Sequence, residues 1–422
     1  MNGSILDNMS LCTGCGACYN ICPPKCISMK EDSEGFLYPI CNSENCINCN
    51  LCKKVCPVIN SHKTKLVQLP EAYLGWAKDI FLREQATSGG AFSAIAKDFL
   101  NSGGIVYGAA YDKDNMVNHI KIESEDQLSL INRSKYVQSN TKNTFYSVLE
   151  ELKNNKSVLY SGTTCQIYGL LSFLKTKKIK TDNLYTIDLV CHGVPSPKLL
   201  REYLKYHKEK NCDVVSISMR DKKHPSPFFS TSVTTVNYSN GEKYEKEIDV
   251  DYYGRLFYGC ISKRPICYQC NYKSIGRISD LTVGDCWFSR ALTGNKEIPF
   301  DVTLCLVQSE KGKHLIQSTK SLSIVKVDSE NAIKCNGGMI YSSISYHPKR
   351  DEFYSRLGKE PIDLLAKLYF PLTLHKKKSF IKNIIKSIPG VYKAYFFRQK
   401  KKEYIKRCSR KIPDNAYTKI II

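Results

Sequence analysis

The sequence lacks any continuous apolar run of about 18 residues, the length at which a membrane-spanning helix becomes a candidate. Over residues 1–11 it also lacks a basic region followed by an apolar stretch, which is the pattern of a secretory signal. We therefore expect a cytoplasmic protein with no spanning segment. Its cysteines should remain reduced, so a disulfide framework is not expected.

Acidic residues are scarce relative to basic ones: 40 Asp and Glu stand against 62 Lys and Arg, a formal net charge of +22. Residues 371–422 hold 15 Lys and Arg against Glu403 and Asp414, so 15 − 2 = +13 of that charge belongs to the C-terminal segment. The excess is thus terminal, and no nucleic-acid-reading motif accompanies it. We expect no nucleic-acid partner.

Cysteine, in contrast, is abundant, with 20 residues. Two runs share the spacing C-x2-C-x2-C-x3-C-P, by which bacterial ferredoxins hold 4Fe–4S clusters. The fourth cysteine of each run reaches the other cluster. Structural zinc is the rival interpretation, but zinc sites favour two separated pairs. The spacing predicts two clusters, one on Cys12, Cys15, Cys18 and Cys56 and the other on Cys46, Cys49, Cys52 and Cys22.

Cys26 and Cys41 fall outside both runs, and we interpret them as packing residues. Residues 1–60 are therefore expected to form an α+β ferredoxin-like two-cluster domain. The polar stretch 58–70 is typical of a linker.

Residues 70–365 alternate strand, loop and helix patterns, with further strands near 213–250. This alternation predicts an α/β domain with a mixed sheet and with ligand-binding loops at the carboxyl ends of its strands. Two of these loops, Thr87–Gly90 and Ser161–Thr164, precede helices, where backbone amides are free to bind a ligand.

Six short motifs in this second region resemble the beta subunit of coenzyme F420 hydrogenases and dehydrogenases, in the bacterial form fused to a two-cluster ferredoxin domain. With the cysteine runs they extend over residues 10–290 in the expected order. Two positions depart from the family pattern: Thr164 replaces a proline and Cys286 replaces a phenylalanine. The motifs are Thr87–Gly90, Ser134–Ser139, Ser161–Gln166, Cys191–Pro197, Arg264–Cys270 and Asp280–Asp285.

The resemblance implies a bound flavin, FAD. Helix-start amides with adjacent glycines suit a pyrophosphate, Lys135 offers a cation and Tyr136 a stacking surface. The alternatives are a capped helix with a glycine turn at 87–90 and an exposed strand edge at Lys135. The predicted flavin-binding residues are Thr87, Ser88, Gly89, Gly90, Lys135, Tyr136, Gln138, Ser161, Gly162, Thr163, Thr164, Gln166 and His192.

Four further cysteines suggest an additional metal site in the second region. Cys165 and Cys191 each follow a predicted strand, and Cys267 and Cys270 form a C-x2-C pair. Together they are candidate ligands of a third 4Fe–4S cluster beside the flavin, with Cys286 as a spare. Two alternatives stay open: buried packing for the first two, or zinc.

The C-terminal segment 371–422 is interpreted as a basic amphipathic tail. Residues 374–388 place isoleucines and Phe380 on one helical face and lysines on the other. This pattern suits an anionic membrane surface, at the inner face for a cytoplasmic protein. A solvated helix packed on the body is the alternative. Relatives of this arrangement look like those encoded beside surface-polysaccharide enzymes.

Together these features predict an iron–sulfur flavoprotein oxidoreductase. It would pass electrons between a soluble two-electron carrier or substrate, F420-like or other, and ferredoxin-type clusters. The alternative is an electron-delivery module without its own substrate, which supplies a partner enzyme at the membrane. A zinc-bearing scaffold is a third class, which the ferredoxin spacing opposes.

Overall fold

The structure is a computed structural model that describes residues 5–226, 229–295, 297–372 and 400–422. The strands are β1 (Ile27–Glu31), β2 (Leu37–Cys41), β3 (His62–Lys65), β4 (Glu71–Ala77), β5 (Ile105–Tyr111), β6 (Val117–Ile122), β7 (Val158–Gly162), β8 (Leu184–Leu189), β9 (Val214–Ser226), β10 (Phe229–Tyr238), β11 (Lys243–Glu247), β12 (Leu281–Asp285), β13 (Thr303–Val307), β14 (Leu322–Val327) and β15 (Thr418–Ile421).

The helices connect these strands and cover the sheet. They are α1 (Ala17–Ile21), α2 (Leu51–Val55), α3 (Pro57–Asn60), α4 (Ile80–Glu84), α5 (Ala91–Asn101), α6 (Leu128–Ile131), α7 (Thr144–Lys153), α8 (Thr164–Thr176), α9 (Pro197–Lys210), α10 (Tyr252–Tyr258), α11 (Ser289–Thr293), α12 (Glu310–Ser318), α13 (Ser329–Cys335), α14 (Arg350–Arg356) and α15 (Ile362–Tyr369).

An eight-stranded mixed sheet with the order β14-β4-β13-β12-β8-β7-β5-β6 lies at the centre of the second region. Its middle strands β12, β8, β7 and β5 are parallel, and the pairs at both edges are antiparallel. Strand β5 reads Ile-Val-Tyr-Gly-Ala-Ala-Tyr, a nearly continuous apolar run that suits a strand covered on both faces. The prediction of a mixed α/β sheet is confirmed.

Helices cover both faces of the sheet. One hydrophobic core joins β4, β5 and β12 to α5 and α12. The other joins β5 and β7 to α7 and α8, and it continues into the N-terminal domain through Ala17, Ile21 and Val55. The ferredoxin-like domain is therefore packed against α8 rather than separated from the body by its linker.

Local sequence signals set the starts of the helices near the parallel strands. Ser196 accepts a hydrogen bond from the amide of Leu199, and Pro197 occupies the first position of α9. Thr163 and Gln166 form a reciprocal capping box at the start of α8. Gly90 adopts φ +80° immediately before α5, a conformation that favours glycine.

Two smaller sheets complete the body. Strands β11, β10 and β9 form an antiparallel sheet, in which a turn at Asn240 and Gly241 joins β10 to β11. Strands β1 and β2 form the hairpin of the N-terminal domain, with Ile27 paired to Cys41.

The C-terminal end of the chain is part of the fold. Strand β15 pairs antiparallel with β3, which lies within the stretch predicted to be a linker. Tyr168 on α8 donates a hydrogen bond from its hydroxyl to the carbonyl of Ile420 at 2.6 Å. The segment 58–70 is thus a paired strand in part, and the interpretation of it as a linker missed this partner.

The amphipathic stretch 374–388, on which the membrane hypothesis depends, lies outside the described residues. Within the described ranges, no helix is both long enough and apolar enough to cross a bilayer.

Candidate functional site

The four cysteines predicted to bind the first cluster converge in the N-terminal domain. Cys12, Cys15 and Cys18 lie before and within the first turn of α1, and Cys56 follows α2. Burial, together with the nearby thiols of Cys56 and Cys12, raises the pKa of Cys15 to about 12. The same four side chains line one small pocket. The structure therefore brings this whole set of thiols together.

The second predicted set is more open, and two further cysteines lie among it. The Sγ of Cys22 is 3.4 Å from the Sγ of Cys26, which is in turn 3.7 Å from the Sγ of Cys41. The sulfurs of Cys26, Cys41 and Cys46 all lie within 4.8 Å of one another. The interpretation of Cys26 and Cys41 as packing residues missed this proximity.

The remaining two cysteines of the second run lie at the surface of the domain. Cys49 is exposed and Cys52 is half-buried. Burial raises the pKa of Cys52, and the thiols of Cys41 and Cys49 add to that effect. Exposed side chains of Ile40, Ile47 and Ile59 belong to the same part of the chain. The second site is therefore the outward-facing end of the domain.

The four candidate inner cysteines also come together. Cys165 is the second residue of α8, directly after β7, and Cys191 follows the neighbouring parallel strand β8. Cys267 and Cys270 lie in and after a short 3₁₀ helix, Pro265–Gln269. Burial, together with Cys191 and Cys270, raises the pKa of Cys267 to about 12. Burial also raises the pKa of Cys165, on which the other three thiols all act.

Cys286, the spare candidate, is not part of the inner group. Its neighbour among the thiols is Cys335, which also interacts with Cys408 near the C-terminus. Burial raises the pKa of Cys286 to about 12. Cys286 lies at the end of β12, whose carboxyl edge it shares with the inner cysteines, but the chain turns it towards α13 instead.

Helix α8 joins the inner thiols to the first thiol site. Cys165 is at its start, and Gly169 lies one turn further along against Cys15. Tyr272 lies between the two groups: burial raises the pKa of its hydroxyl, and the thiols of Cys15, Cys165 and Cys56 add to that effect. The inner and the first thiol sites are thus separated by about one helical turn and one tyrosine.

Arg264 is fully buried at the junction of the two domains. Its guanidinium donates to the carbonyls of Cys12 at 2.7 Å and Leu37 at 3.0 Å, and to Oε1 of Gln138 at 2.9 Å. The cation also lies 4.0 Å from the centre of the Tyr38 ring. This one side chain therefore connects the first thiol site, the β-hairpin and the cavity wall.

A cavity of about 740 Å³ opens at the carboxyl ends of the parallel strands. This volume falls within the range of about 300–1,000 Å³ that is typical of small-molecule and cofactor sites. Cys165 and Cys191 line the cavity as well as contributing to the inner thiol group. Among the predicted flavin-binding residues, it is lined by Thr87, Ser88, Gly90, Lys135, Tyr136, Gln138, Ser161, Gly162, Thr163, Gln166 and His192.

Gly89 and Thr164 are predicted binding residues that do not line the cavity. A Cβ at Gly89 would lie 2.5 Å from the carbonyl oxygen of Gly75, so this glycine permits close packing on the sheet. Thr164 is buried and its hydroxyl accepts a hydrogen bond from Arg277 at 2.8 Å. Both residues support the loops that carry their neighbours.

Several predicted side chains are already engaged within the protein. The Thr87 hydroxyl accepts a hydrogen bond from the amide of Ser134 at 2.8 Å, which links two of the motifs. Ser88 donates to the carbonyl of Val302, and Ser161 to that of Tyr107. These loops therefore offer a ligand mainly their backbone, while the side chains fix the shape of the loops.

Lys135 gives the cavity a cation of altered acidity. Burial, together with the neighbouring Arg133, lowers the pKa of Lys135 to about 7. Its Nζ donates to the carbonyl of Asn132 at 2.6 Å. A bound anionic group would favour the protonated form of this amine. Arg133, which also lines the cavity, was not predicted from the sequence.

Other lining residues were also missed because their positions in the chain carry no motif. His119 lies between the Ser139 hydroxyl at 2.7 Å and the Ser161 carbonyl at 3.0 Å, and burial lowers its pKa to about 4. Arg220 on β9 forms an ion pair with Asp285 at 2.8 Å. Arg220 opens a run of four charged residues in β9, and nothing in the sequence of that run distinguishes it from the other three.

His192 lies where the cavity meets the inner thiols. Its Nε2 is 3.3 Å from the Sγ of Cys260, and burial together with Lys263 and Lys273 lowers its pKa to about 4. Lys263 is fully buried, with its Nζ 2.9 Å from the centre of the Phe257 ring. At neutral pH the imidazole is therefore uncharged in this structure.

The two parts of the chain match two different family models. Residues 155–332 match the model for the C terminus of the beta subunit of coenzyme F420 hydrogenase/dehydrogenase. Residues 11–60 match the model of a 4Fe–4S dicluster domain.

Two relatives reflect the same division. The chain is 24% identical over 267 residues to subunit beta of F420-dependent formate dehydrogenase 1 from Methanococcus maripaludis, and the match spans 62% of that protein's length and 62% of this chain. It is 36% identical over 53 residues to an uncharacterized ferredoxin from Methanocaldococcus jannaschii, which is 68% of that protein and 13% of this chain.

Among solved structures, a chain of the F420-reducing [NiFe] hydrogenase complex from Methanosarcina barkeri aligns with a TM-score of 0.41 and 15% identity, over 72% of this chain and 92% of that one.

Proposed function

We propose a function for this chain, which belongs to the coenzyme F420 hydrogenase/dehydrogenase beta-subunit-like family with a 4Fe–4S ferredoxin domain. It is an iron–sulfur, oxidoreductase-like electron-transfer module. The finer proposal is that the cavity holds FAD, that the inner cysteines hold a third 4Fe–4S cluster, and that electrons pass between the cavity and the two clusters of residues 1–60.

One observation carries this proposal. Cys165 lines the cavity, belongs to the inner thiol group and starts the helix that meets Cys15 one turn later. Three candidate redox sites therefore follow one another along α8, with one helical turn and Tyr272 between the inner and the first thiol sites. Such an order is what a relay of single electrons requires, and a purely structural role for these thiols does not explain it.

The donor set of the inner site suits a cluster better than zinc. A tetrahedral zinc ion binds thiolates at about 2.3 Å, so its ligand sulfurs lie about 3.8 Å apart. Among the described residues, Cys26, Cys41 and Cys46 form the one group in which three candidate ligand atoms lie within 4.8 Å of one another. The inner sulfurs are therefore spaced more widely than one ion requires. In a 4Fe–4S cluster each cysteine binds a different iron, which fits the wider spacing.

The cavity suits a flavin dinucleotide in size and in chemistry. The backbone at Thr87–Gly90 offers donors for a pyrophosphate, beside Lys135 and Arg133, whereas the amide of Thr163 already donates to Oε1 of Gln166. The Tyr136 ring lies at the cavity wall, 4.3 Å from Phe257 between ring centres. When bound, FAD would exchange two electrons with a hydride carrier and single electrons with iron–sulfur centres.

At the other end, the second site faces outwards. Cys49 is exposed, and the exposed side chains Ile40, Ile47 and Ile59 belong to the same domain. We propose that a redox partner docks here, either a soluble carrier or a partner enzyme. The exposure of this second site also favours the alternative function, in which the chain delivers electrons to such an enzyme and has no substrate of its own.

We propose that residues 1–60 form the ferredoxin domain, 70–365 the flavin domain and 371–422 a C-terminal segment. A membrane-edge location and a role in surface-polysaccharide biosynthesis stay predictions, because they depend on the family resemblance and on residues 374–388. Liposome flotation of the full chain, with and without residues 374–388, tests the location; equal flotation would dismiss it.

Anaerobic purification followed by iron, sulfide and flavin quantitation tests the proposed function. Three clusters and one flavin predict about twelve iron atoms, about twelve sulfides and one FAD per chain. About eight iron atoms would remove the inner cluster. A preparation without flavin after gentle handling would contradict the enzyme proposal and leave the delivery module. If a screen of soluble electron donors finds one that reduces the bound flavin with no partner present, that result would contradict the alternative of a delivery module without its own substrate.

A further inference from the structure

The base of the β1–β2 hairpin carries two thiols that the proposed electron path does not use. Cys26 directly precedes β1, and Cys41 is the last residue of β2. Because Ile27 pairs with Cys41 in the hairpin register, the two cysteines meet at its open end. Their sulfurs are 3.7 Å apart, and that of Cys46 completes a group within 4.8 Å.

This spacing corresponds to the ligand shell of a single ion. Four thiolates around a tetrahedral ion at about 2.3 Å have sulfur–sulfur distances of about 3.8 Å. The pairs Cys22–Cys26 at 3.4 Å and Cys26–Cys41 at 3.7 Å match that value. Cys22 stands outside the group of three that lie within 4.8 Å of one another, but its contact with Cys26 makes it the nearest candidate for a fourth ligand.

The contrast with the other cysteine groups strengthens this assignment. Within the part of the chain that the structure describes, the first and inner thiol sites contain no group of three ligand atoms as close as this one. Ligands to a 4Fe–4S cluster are held apart because each binds a different iron. The thiols of Cys26, Cys41 and Cys46 are therefore spaced as a single ion requires, whereas those of the first and inner sites are not.

We propose that Cys26, Cys41 and Cys46, with Cys22 as the fourth ligand, form a thiolate site for one thiophilic divalent ion, Zn²⁺. Cys22 and Cys46 are shared with the proposed second cluster, whose other ligands are Cys49 and Cys52. The site can hold the ion or the cluster, but not both. Thiols that bind the ion release their protons to solvent, and no oxidation or reduction is involved.

Either the ion or the second cluster is therefore bound at the outer end of the electron path. With the cluster in place, electrons reach the surface near Cys49. With the ion in place, the first cluster becomes the last redox centre, since Zn²⁺ has no redox chemistry. This consequence rests on the proposed function, whereas the ion site itself rests on the geometry of the four thiols.

The two ligand sets differ in two residues each, and this permits a direct test on the full-length protein. The variant Cys49→Ser/Cys52→Ser removes ligands of the cluster only, and Cys26→Ser/Cys41→Ser removes ligands of the ion only. Each protein is purified anaerobically, incubated with Zn²⁺ and freed of excess metal. Zinc and iron per chain are then measured, and the zinc environment is determined by X-ray absorption. Cys212→Ser, a cysteine elsewhere in the chain, is the matched control.

We expect Cys49→Ser/Cys52→Ser to lose about four iron atoms and to bind one zinc ion with four sulfur ligands at about 2.3 Å. The quadruple variant that combines Cys26→Ser/Cys41→Ser with Cys49→Ser/Cys52→Ser should bind no zinc. Cys26→Ser/Cys41→Ser alone should keep the iron of the native protein, which also shows that the domain folds.

Three results would overturn the proposal. The zinc could persist after removal of Cys26 and Cys41, or it could be bound through nitrogen ligands. The third is an absence of zinc from Cys49→Ser/Cys52→Ser while that variant retains its remaining iron. The iron and flavin content of the native protein tests the proposed function separately, so either idea can fail without the other.

Discussion

Gly169 and Cys15 are in contact across the junction of the two domains. A Cβ built on Gly169 would lie 2.9 Å from the Cβ of Cys15 and 3.0 Å from its Sγ. Distances of this kind leave no room for a side chain on α8 at this position. The glycine therefore sets how closely the first thiol site approaches α8, the helix that carries Cys165.

We predict that Gly169→Ala lowers stability even though alanine favours helix. The gain in helix propensity is about 1 kcal/mol, whereas overpacking a filled site costs about 1–3 kcal/mol. Gly169→Val should additionally lower the iron content by about four atoms per chain, since Cys15 would be displaced. Thermal unfolding and iron analysis measure both effects.

Gly75→Ala is the matched control for this substitution. A Cβ at Gly75 would meet its nearest atoms at 3.4 Å, an ordinary contact distance. Normal iron content and normal stability in Gly169→Val would contradict the proposed contact between α8 and the first site.

Arg264 provides the second prediction. Replacing it by Gln removes a buried guanidinium that bonds to Cys12, Leu37 and Gln138. Each buried acceptor left without its donor costs about 1–3 kcal/mol, so we expect loss of at least about 3 kcal/mol and release of iron from the first site. Limited proteolysis and iron retention are the measurements.

Arg201 offers the comparison for Arg264, because it also joins the N-terminal domain to the body. It pairs with Glu31, but the two side chains are 43% and 33% exposed. Solvent screening limits such a pair to about 1 kcal/mol or less. Equal effects of Arg201→Ala and Arg264→Gln would show that burial at the junction is unimportant.

The lowered pKa of Lys135 leads us to expect that flavin binding depends on pH. Its pKa is lowered to about 7 by burial and by Arg133, and a bound phosphate stabilises the charged form. The free protein must therefore take up a proton on binding above pH 7, so affinity should fall as pH rises. We expect a loss of about five- to tenfold between pH 6.5 and 8.5, measured by quenching of flavin fluorescence.

Lys135→Arg should bind without this pH dependence, and Lys135→Met should bind weakly at every pH. His119 faces the same cavity, but its pKa of about 4 lies below the tested range. A slope that persists unchanged in Lys135→Met would assign the proton to another group.

The C-terminal strand gives a fourth prediction. Ile420 is 2% exposed and packs with Tyr168 and Tyr272 at the junction of the domains. Ile420→Ala should lower the free energy of unfolding by about 2–5 kcal/mol. Ile405→Ala, at a side chain that is 57% exposed, should have an effect within about 0.5 kcal/mol. Equal effects would indicate that β15 does not hold the junction.

Local spacing predicted the parts of the site that local chemistry determines. The cysteine runs place their ligands on short loops and helix starts, so the set at Cys12 could be predicted directly. Cys165 and Cys191 could be expected to meet because adjacent parallel strands end at one edge of a sheet. These predictions needed no knowledge of distant contacts.

The missed features depend on register and on long-range pairing. The meeting of Cys26 and Cys41 follows from the hairpin register, which the sequence does not state. The pairing of β3 with β15 joins His62 to Ile421, and no local pattern predicts such a pair. Arg264 was seen only as part of a motif, because its three partners come from other segments of the chain.

In the proposed function, electrons pass between the cavity and the outer clusters through the inner cysteines. The direct measurement is anaerobic photoreduction of the bound flavin with a sacrificial donor, followed by rapid freezing and electron paramagnetic resonance of the clusters. Native protein and the control Cys286→Ser should show reduced clusters soon after the flavin is reduced. Cys165→Ser should retain its flavin, and that flavin should become reduced while the outer clusters stay oxidised on the same time scale. Equally fast reduction of the outer clusters in Cys165→Ser would show that electrons do not pass through the inner cysteines.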